Sequence, residues 1–350
     1  MKRGTQIKAL VKYSKGSENV KLALDWPVPV AKDGWVVVEV AGCGVCGTDL
    51  HILNDKFNSW PPIILGHEYT GRIVEIGTSV SKYKIGDRVV CEQHTNACLT
   101  CSVCRRGAIH LCPNKRPPGV GIDGAFAEFV TLPENLLHKV PDGVSFLAAS
   151  ITEPTAICIT GLDRVGLKSG ERVLVIGPGP IGLISALLAK TSGASEVLVV
   201  GRKSSHERLV IAKQLGLSVY EIEDTDPLKV LGERFDVVID STGNALSLAV
   251  AATCRLGRVL ELGLANTPNI EFTLNVAMTR SISIYMSMSS EYSSWDRALA
   301  LMASGTYDPS PLSTLYSLDD WQQAFQDVKD RKVIKAIIFP HASSNLDLKK

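Results

Sequence analysis

The chain has 350 residues, 45% hydrophobic and 21% charged, with a net charge of +1. This length suits about two domains of about 150 residues, and the composition is that of an ordinary globular protein. Cations and anions are interspersed, so no basic patch marks a nucleic-acid or membrane-surface partner, and neither is expected.

The N-terminal stretch MKRGTQIKALVKY carries cations but lacks the apolar segment of a signal peptide. The longest uncharged apolar run, 173–189, is broken by Gly-Pro-Gly-Pro. It therefore reads as a strand, a turn and a helix, not as a membrane span of about 20 residues. Nine cysteines, an odd number with eight of them between residues 43 and 158, one third of the chain, fit a reducing compartment better than a disulfide framework. A cytoplasmic location is expected.

The first chemically dense stretch is AGCGVCGTDLH, where Cys46, Thr48, Asp49 and His51 fall within six positions. In ILGHEYTGRIVEIG, His67 and Glu68 precede a strand-like run, and in ITEPTAICITGL, Glu153 precedes Pro154. Taken singly, Cys46 reads as a small buried residue and His67 as a satisfied polar group. Together, one thiol, one imidazole and one or two carboxylates make a mixed donor set with room for water or substrate, which is the composition of a catalytic zinc site. Cys43 with Cys46 also spells C-x-x-C, so a redox pair is the alternative.

Between these stretches lies ACLTCSVCRRGAIHLC, with Cys98, Cys101, Cys104 and Cys112 spaced C-x2-C-x2-C-x7-C. The short gaps let thiolates converge, and the long gap lets the chain return to close a tetrahedron. Four thiolates leave zinc no open position, so such a site is structural. Disulfides and an iron–sulfur cluster are the alternatives.

ERVLVIGPGPIGLISALLAK, residues 171–190, is a β-branched run leading into Gly177-x-Gly179-Pro180-Ile181-Gly182 and an apolar helix. Strand, glycines and helix in that order form a dinucleotide fingerprint, with the pyrophosphate at the helix N-terminus. A glycine turn in another α/β protein is the alternative. EVLVV (196–200) reads as a strand, followed by a Ser204/Glu207 capping box opening a helix. FDVVID (235–240) is a strand, ALSLAVAATC (245–254) a helix and GRVLELG (257–263) a strand. This alternation implies an α/β fold with a doubly wound parallel sheet. About 20 residues after the glycines, a carboxylate would bind the ribose hydroxyls of NAD. Here stand Gly201, Arg202 and Lys203, with Arg208 a little further on. Cations in place of a carboxylate suit a 2′-phosphate and favour NADP(H) over NAD(H); cations that merely face solvent are the alternative.

With GCGVCGTDLH, GHEYTGRIVEIG, the four-cysteine lobe, GAFAEFV, EPTA and VLVIGPGPIGL in this order, the chain resembles the zinc-containing medium-chain alcohol dehydrogenase superfamily. It is most similar to the polyol (sorbitol) and threonine dehydrogenase branches, essentially end to end. The resemblance implies a GroES-like, mostly-β catalytic domain over 1–155 with a zinc lobe at 91–115, a Rossmann domain over 156–295, and a return segment over 296–350 containing the strand KAIIFP. It implies two zinc ions per subunit. Cys46, His67, Glu68 and Glu153 match the catalytic zinc site, and Cys98, Cys101, Cys104 and Cys112 the structural one. Thr48 and His51 match a proton relay. A homodimer or homotetramer acting on a small alcohol or ketone follows in the same way.

The implied reaction interconverts a secondary alcohol, a polyol or sugar, and a ketone by hydride transfer to or from the nicotinamide cofactor. Oxidation of a 3-hydroxy amino acid by an L-threonine 3-dehydrogenase-like enzyme is the alternative, and a non-catalytic cofactor-sensing protein a remote one. Three departures bear on the substrate. ILN after His51 is nearer the threonine pattern, TEPTA nearer the polyol pattern, and Gly201-Arg202 resembles NADP-dependent ketose reductases.

Overall fold

Consecutive valines and small residues make Trp35–Gly44 a strand buried on both faces, and the first unit is built on it. The structure is a computed structural model that describes residues 4–222, 227–265, 267 and 269–341. Its chain divides into two compact units, residues 1–153 with 291–350, and residues 154–290. The crossings thus fall at 153/154 and 290/291, against the 155/156 and 295/296 that the resemblance implies. Residues 342–350 of the expected return segment lie outside the described residues.

In the first unit a seven-stranded sheet runs Ser313–Ser317, Lys335–Phe339, Trp35–Gly44, Glu68–Ile76, Arg88–Cys91 and Leu137–Lys139, with Phe129–Pro133 also paired to Trp35–Gly44. The returning strand Lys335–Phe339 lies antiparallel to Trp35–Gly44, with Ile337 opposite Gly44 and Ile338 opposite Cys43. Residues near the end of the chain are thereby brought beside Cys46. A second sheet of three strands packs Leu10 and Leu65 into the same core as Val38, Phe126 and Ile338. Burial of these side chains, at about 25 cal/mol per Å2 of apolar surface, is what holds the unit together.

In the second unit six parallel strands follow the order Ser218–Ile222, Glu196–Arg202, Arg172–Ile176, Phe235–Asp240, Thr253–Glu261, Ser283–Met286. The order reverses between Arg172–Ile176 and Phe235–Asp240, and such a reversal opens the crevice in which doubly wound sheets bind ligands. Two local expectations change. The strand Glu196–Arg202 continues into a 3-10 turn, Lys203–Ser205, so the helix starts at His206 with Ser205, one residue after the expected Ser204, as N-cap. The next helix spans only Leu246–Ala252, because Thr253 already enters the following strand.

A buried polar ladder joins the sheet to the returning chain. His138 sets Nδ1 2.7 Å from Asp296 Oδ1 and Nε2 3.3 Å from Glu92 Oε1, and His94 Nε2 lies 3.3 Å from Glu92 Oε2. Trp295 stacks on the His138 ring at 5.7 Å, and Tyr292 lies 4.8 Å away. Burial alone would lower the His138 pKa, but its bonds to Glu92 and Asp296 outweigh this and hold the imidazolium above the ordinary 6.5. A raised folded-state pKa adds stability that is complete below the unfolded value and is lost as pH rises through the folded one. His138→Gln should therefore lower unfolding stability by about 1–3 kcal/mol at pH 6, and by less at pH 9. Denaturant unfolding at both pH values checks this; a gap that fails to narrow at pH 9 contradicts it.

Candidate metal and cofactor sites

The chain leaves the strand Trp35–Gly44, and Cys46 becomes the N-cap of the helix Gly47–Leu53. The Cys46 backbone N–H donates to Asp49 Oδ2 at 2.8 Å, and Asp49 Oδ1 lies 3.3 Å from Nδ1 of His67. Asp49, fully buried, thus ties the turn that carries Cys46 to the imidazole ring. A carboxylate behind a histidine fixes its tautomer and raises its basicity, which leaves Nε2 as the donor nitrogen. On the far side, Gln93 donates its side-chain N–H to the His67 carbonyl.

Donor atoms of Cys46, His67 and Glu68 all lie within 4.8 Å of one another. The surroundings are strongly negative. Burial works against a charged His67, yet Asp49 and Cys46 outweigh it and raise its pKa. Burial, followed by the charge of Glu68, pushes Glu153 up to about 7. A thiol, an imidazole and a carboxylate in a buried, negative setting suit a divalent zinc, and three protein donors leave a position open. Glu153 stands in the first turn of the helix Thr152–Val165, close enough to respond to Glu68 and His67 but outside the three-donor group. Thr48, half-buried, and His51, exposed, follow Cys46 on the helix Gly47–Leu53.

Sulfurs of Cys98, Cys101, Cys104 and Cys112 form a second group within 4.8 Å. Cys98 and Cys112 sulfurs are 3.6 Å apart, too far for a disulfide. Backbone N–H groups point at the sulfurs: Cys98 donates to Cys112 at 3.3 Å and Cys101 to Cys98 at 3.4 Å. Backbone donors from Thr100 and Cys101 hold the Cys98 thiol down to about 5, which favours the thiolate a metal needs. Four thiolates fit a closed zinc cage.

In the second unit Gly177 adopts φ +101° after the strand Arg172–Ile176. A Cβ on Gly182 would lie 1.9 Å from the Gly177 carbonyl, so the turn can close only without one. Pro180 opens the helix Pro180–Thr191 behind Gly179, with Ile181 in its first turn. Ser241, just past Phe235–Asp240, donates to the carbonyls of Ile176 and Gly177 at 2.9 and 3.0 Å, which fixes the crevice at the sheet reversal. Gly201 is buried, and a Cβ there would meet the Pro178 ring at 2.9 Å. Arg202 and Lys203 are exposed, whereas Arg208 is buried, with Nη1 3.9 Å from the Cβ position of Gly179.

Residues 32–142 match the family model for the alcohol dehydrogenase GroES-like domain, and residues 180–304 that for zinc-binding dehydrogenases. The chain is 31% identical to the sorbitol dehydrogenase of Halalkalibacterium halodurans, over 95% of this chain and 99% of that one. It is 36% identical to the L-threonine 3-dehydrogenase of Streptomyces avermitilis, over 95% and 99%. The chain belongs to the zinc-containing medium-chain alcohol dehydrogenase family. A zinc-binding dehydrogenase from Sinorhizobium meliloti 1021, solved bound to NADP, superposes with a TM-score of 0.87 at 27% identity, covering 96% of this chain and 100% of that one.

As a medium-chain alcohol dehydrogenase, the protein is an oxidoreductase acting on CH–OH groups of small molecules. No helix among the described residues is long and apolar enough to cross a membrane. Three contributors to the open site went unassigned in the sequence: Asp49, Gln93 and Lys335. Asp49 had a signal, since it stands three residues after Cys46 where an N-terminal helix carboxylate bonds back to the cap. The other two act across distant segments and leave no local pattern. Asp49→Asn should weaken zinc binding at the open site about 10–100-fold while the thiolate cage stays loaded. Zinc per subunit after dialysis against a graded chelator series checks this.

Proposed function

We propose that this dehydrogenase interconverts a secondary alcohol, a polyol or sugar, and the corresponding ketone, with NADP(H) preferred over NAD(H) and two zinc ions per subunit. The carrying observation is the convergence of Cys46, His67 and Glu68 on one buried point. Zinc held there would polarise an alcohol oxygen as a Lewis acid and lower its pKa. Thr48 would accept the alcohol's proton while releasing its own hydroxyl proton, which reaches water by way of His51, one helical turn on and exposed. Glu153, buried and carrying part of its proton near neutrality, is the second carboxylate of the site and would bind the ion directly or through water, so that one position stays open for the alcohol. Cys98, Cys101, Cys104 and Cys112 hold the second zinc and take no part in proton movement.

The glycine turn, with Gly177, Gly179, Pro180, Ile181 and Gly182, receives the pyrophosphate. Gly201, Arg202, Lys203 and Arg208 surround the adenosine ribose, where guanidinium groups favour a 2′-phosphate. The NADP carried by the Sinorhizobium meliloti protein supports that preference. A homodimer or homotetramer in the cytoplasm belongs to the same reading; for the compartment, the support is four cysteines gathered as a metal-type cluster in place of a disulfide framework.

Threonine oxidation is the second reading, favoured by the 36% identity to the Streptomyces avermitilis enzyme. Steady-state rates on sorbitol, xylitol, simple secondary alcohols and L-threonine separate the two. Turnover of polyols is expected, and activity confined to threonine overturns the polyol assignment. For the cofactor, kcat/KM should be higher with NADP+ than with NAD+. Arg202→Ala should lower the NADP+ value about tenfold, the size of one lost charge-assisted contact of about 1.5 kcal/mol, and leave NAD+ little changed. Equal use of both cofactors by the wild type would contradict the charge argument.

A further inference from the structure

Lys335 opens the returning strand Lys335–Phe339 and is only 2% exposed. Its Nζ donates to the Val45 carbonyl at 3.1 Å and forms an ion pair with Glu68 Oε2. Both contacts adjoin the open metal site: Val45 precedes Cys46, and Glu68 is itself one of the three donors. Gly44 makes room for the pair, because a Cβ there would lie 2.5 Å from Glu68 Oε2 and 2.8 Å from Lys335 Cε. A buried ammonium one ligand away from a dication repels it, so this lysine is poorly placed to strengthen metal binding. Its charge is useful when the metal is away. Glu68 is buried beside Cys46 and Glu153, and a buried carboxylate without a counter-cation is costly.

We infer that Lys335 is a positioning residue that stands in for the metal's charge, keeping Cys46, His67 and Glu68 assembled before zinc arrives and making bound zinc easier to release. This rests on the assignment of those three donors to zinc. With the ammonium present, the Glu68 carboxylate is shared between two cations and the metal-free site is already formed. With the ammonium gone, only the metal-free state loses its compensation, while the zinc-loaded state loses a repulsion. Both changes shift the balance towards bound zinc, opposite to the effect of damaging a ligand.

The test is zinc release from the holoenzyme into excess chromogenic chelator, followed per subunit, with the thiolate cage as internal reference. Lys335→Met should release the open-site zinc about tenfold more slowly than wild type, the lower end of the range for outer-sphere substitutions. Its metal-free form should melt at a lower temperature than wild-type metal-free protein. Lys335→Arg, which keeps the charge, should restore release to near the wild-type rate. Release from Lys335→Met at the wild-type rate or faster overturns the inference. Should Lys335→Met not fold, crystal structures of wild type with and without zinc decide. Lys335 is expected on Glu68 and the Val45 carbonyl in the metal-free form, and a lysine turned away there overturns the inference. Wild-type holoenzyme carrying zinc only in the cage would instead overturn the donor assignment itself, and the role of Lys335 with it.

Discussion

The first unit is organised around a concentration of buried negative charge that the chain can tolerate only by surrounding it with matched partners. Glu68, Asp49 and Glu153 lie close together beside Cys46 and His67, all three almost fully buried. Coulomb repulsion among such groups at low dielectric would force them apart or protonate them. Each has a different answer. Asp49 faces His67, Glu68 faces Lys335, and Glu153 carries part of its proton near neutrality. The donor set stays assembled because no two carboxylates rely on the same compensation.

That arrangement requires residues from far apart in the chain, and the sheet supplies them. Antiparallel pairing of Lys335–Phe339 with Trp35–Gly44 sets Lys335 under the turn that leads to Cys46. Pairing of Glu68–Ile76 with the same central strand sets Gly44 opposite Glu68. Apolar burial fixes the register of these strands, since a slip of one residue would turn every core side chain outward. The polar site therefore inherits its geometry from the hydrophobic core. In the second unit the parallel sheet does the corresponding work: its reversal, held by Ser241, leaves the glycine turn exposed to a ligand, and Arg208 is buried against that turn.

How much of this was legible in the sequence follows from the range of each interaction. The four-cysteine lobe, the glycine turn and the cluster from Cys46 to His51 are local, and their residue types and spacing carry the chemistry directly. The parallel, doubly wound character of the second unit followed from alternation of apolar runs, whereas its strand order did not. Ser204 and Glu207 marked the start of a helix, but the strand before them continues through Arg202 and a short turn intervenes, so the cap falls on Ser205, one residue later. Lys335 reads as one cation at the head of an apolar strand. Its partner carbonyl at Val45 is 290 positions away, and His138 and Asp296 are 158 apart. Neither pairing has a pattern that a single sequence can reveal, because it exists only once the returning chain has docked.

The two cysteine-containing sites also depend on each other. Their donor chemistry differs: four thiols close one, and unlike donors leave the other open. Yet they share a stretch of chain. The residues just before the thiolate lobe include Gln93, whose amide bonds the His67 carbonyl, and Glu92, which anchors both His94 and His138. Just after the lobe, Arg116 bonds back through its backbone N–H to the Thr95 carbonyl at 2.7 Å, and Lys115 lies close enough to Glu153 for each to alter the other's titration. Both ends of the lobe therefore bear on the open site. A metal closing the four thiols between them would shorten the range of positions either end can take, because cross-linking a loop removes conformations from it. Loaded with metal, the cage would act on the open site as a brace on its second layer of contacts, which is where donor orientation is set.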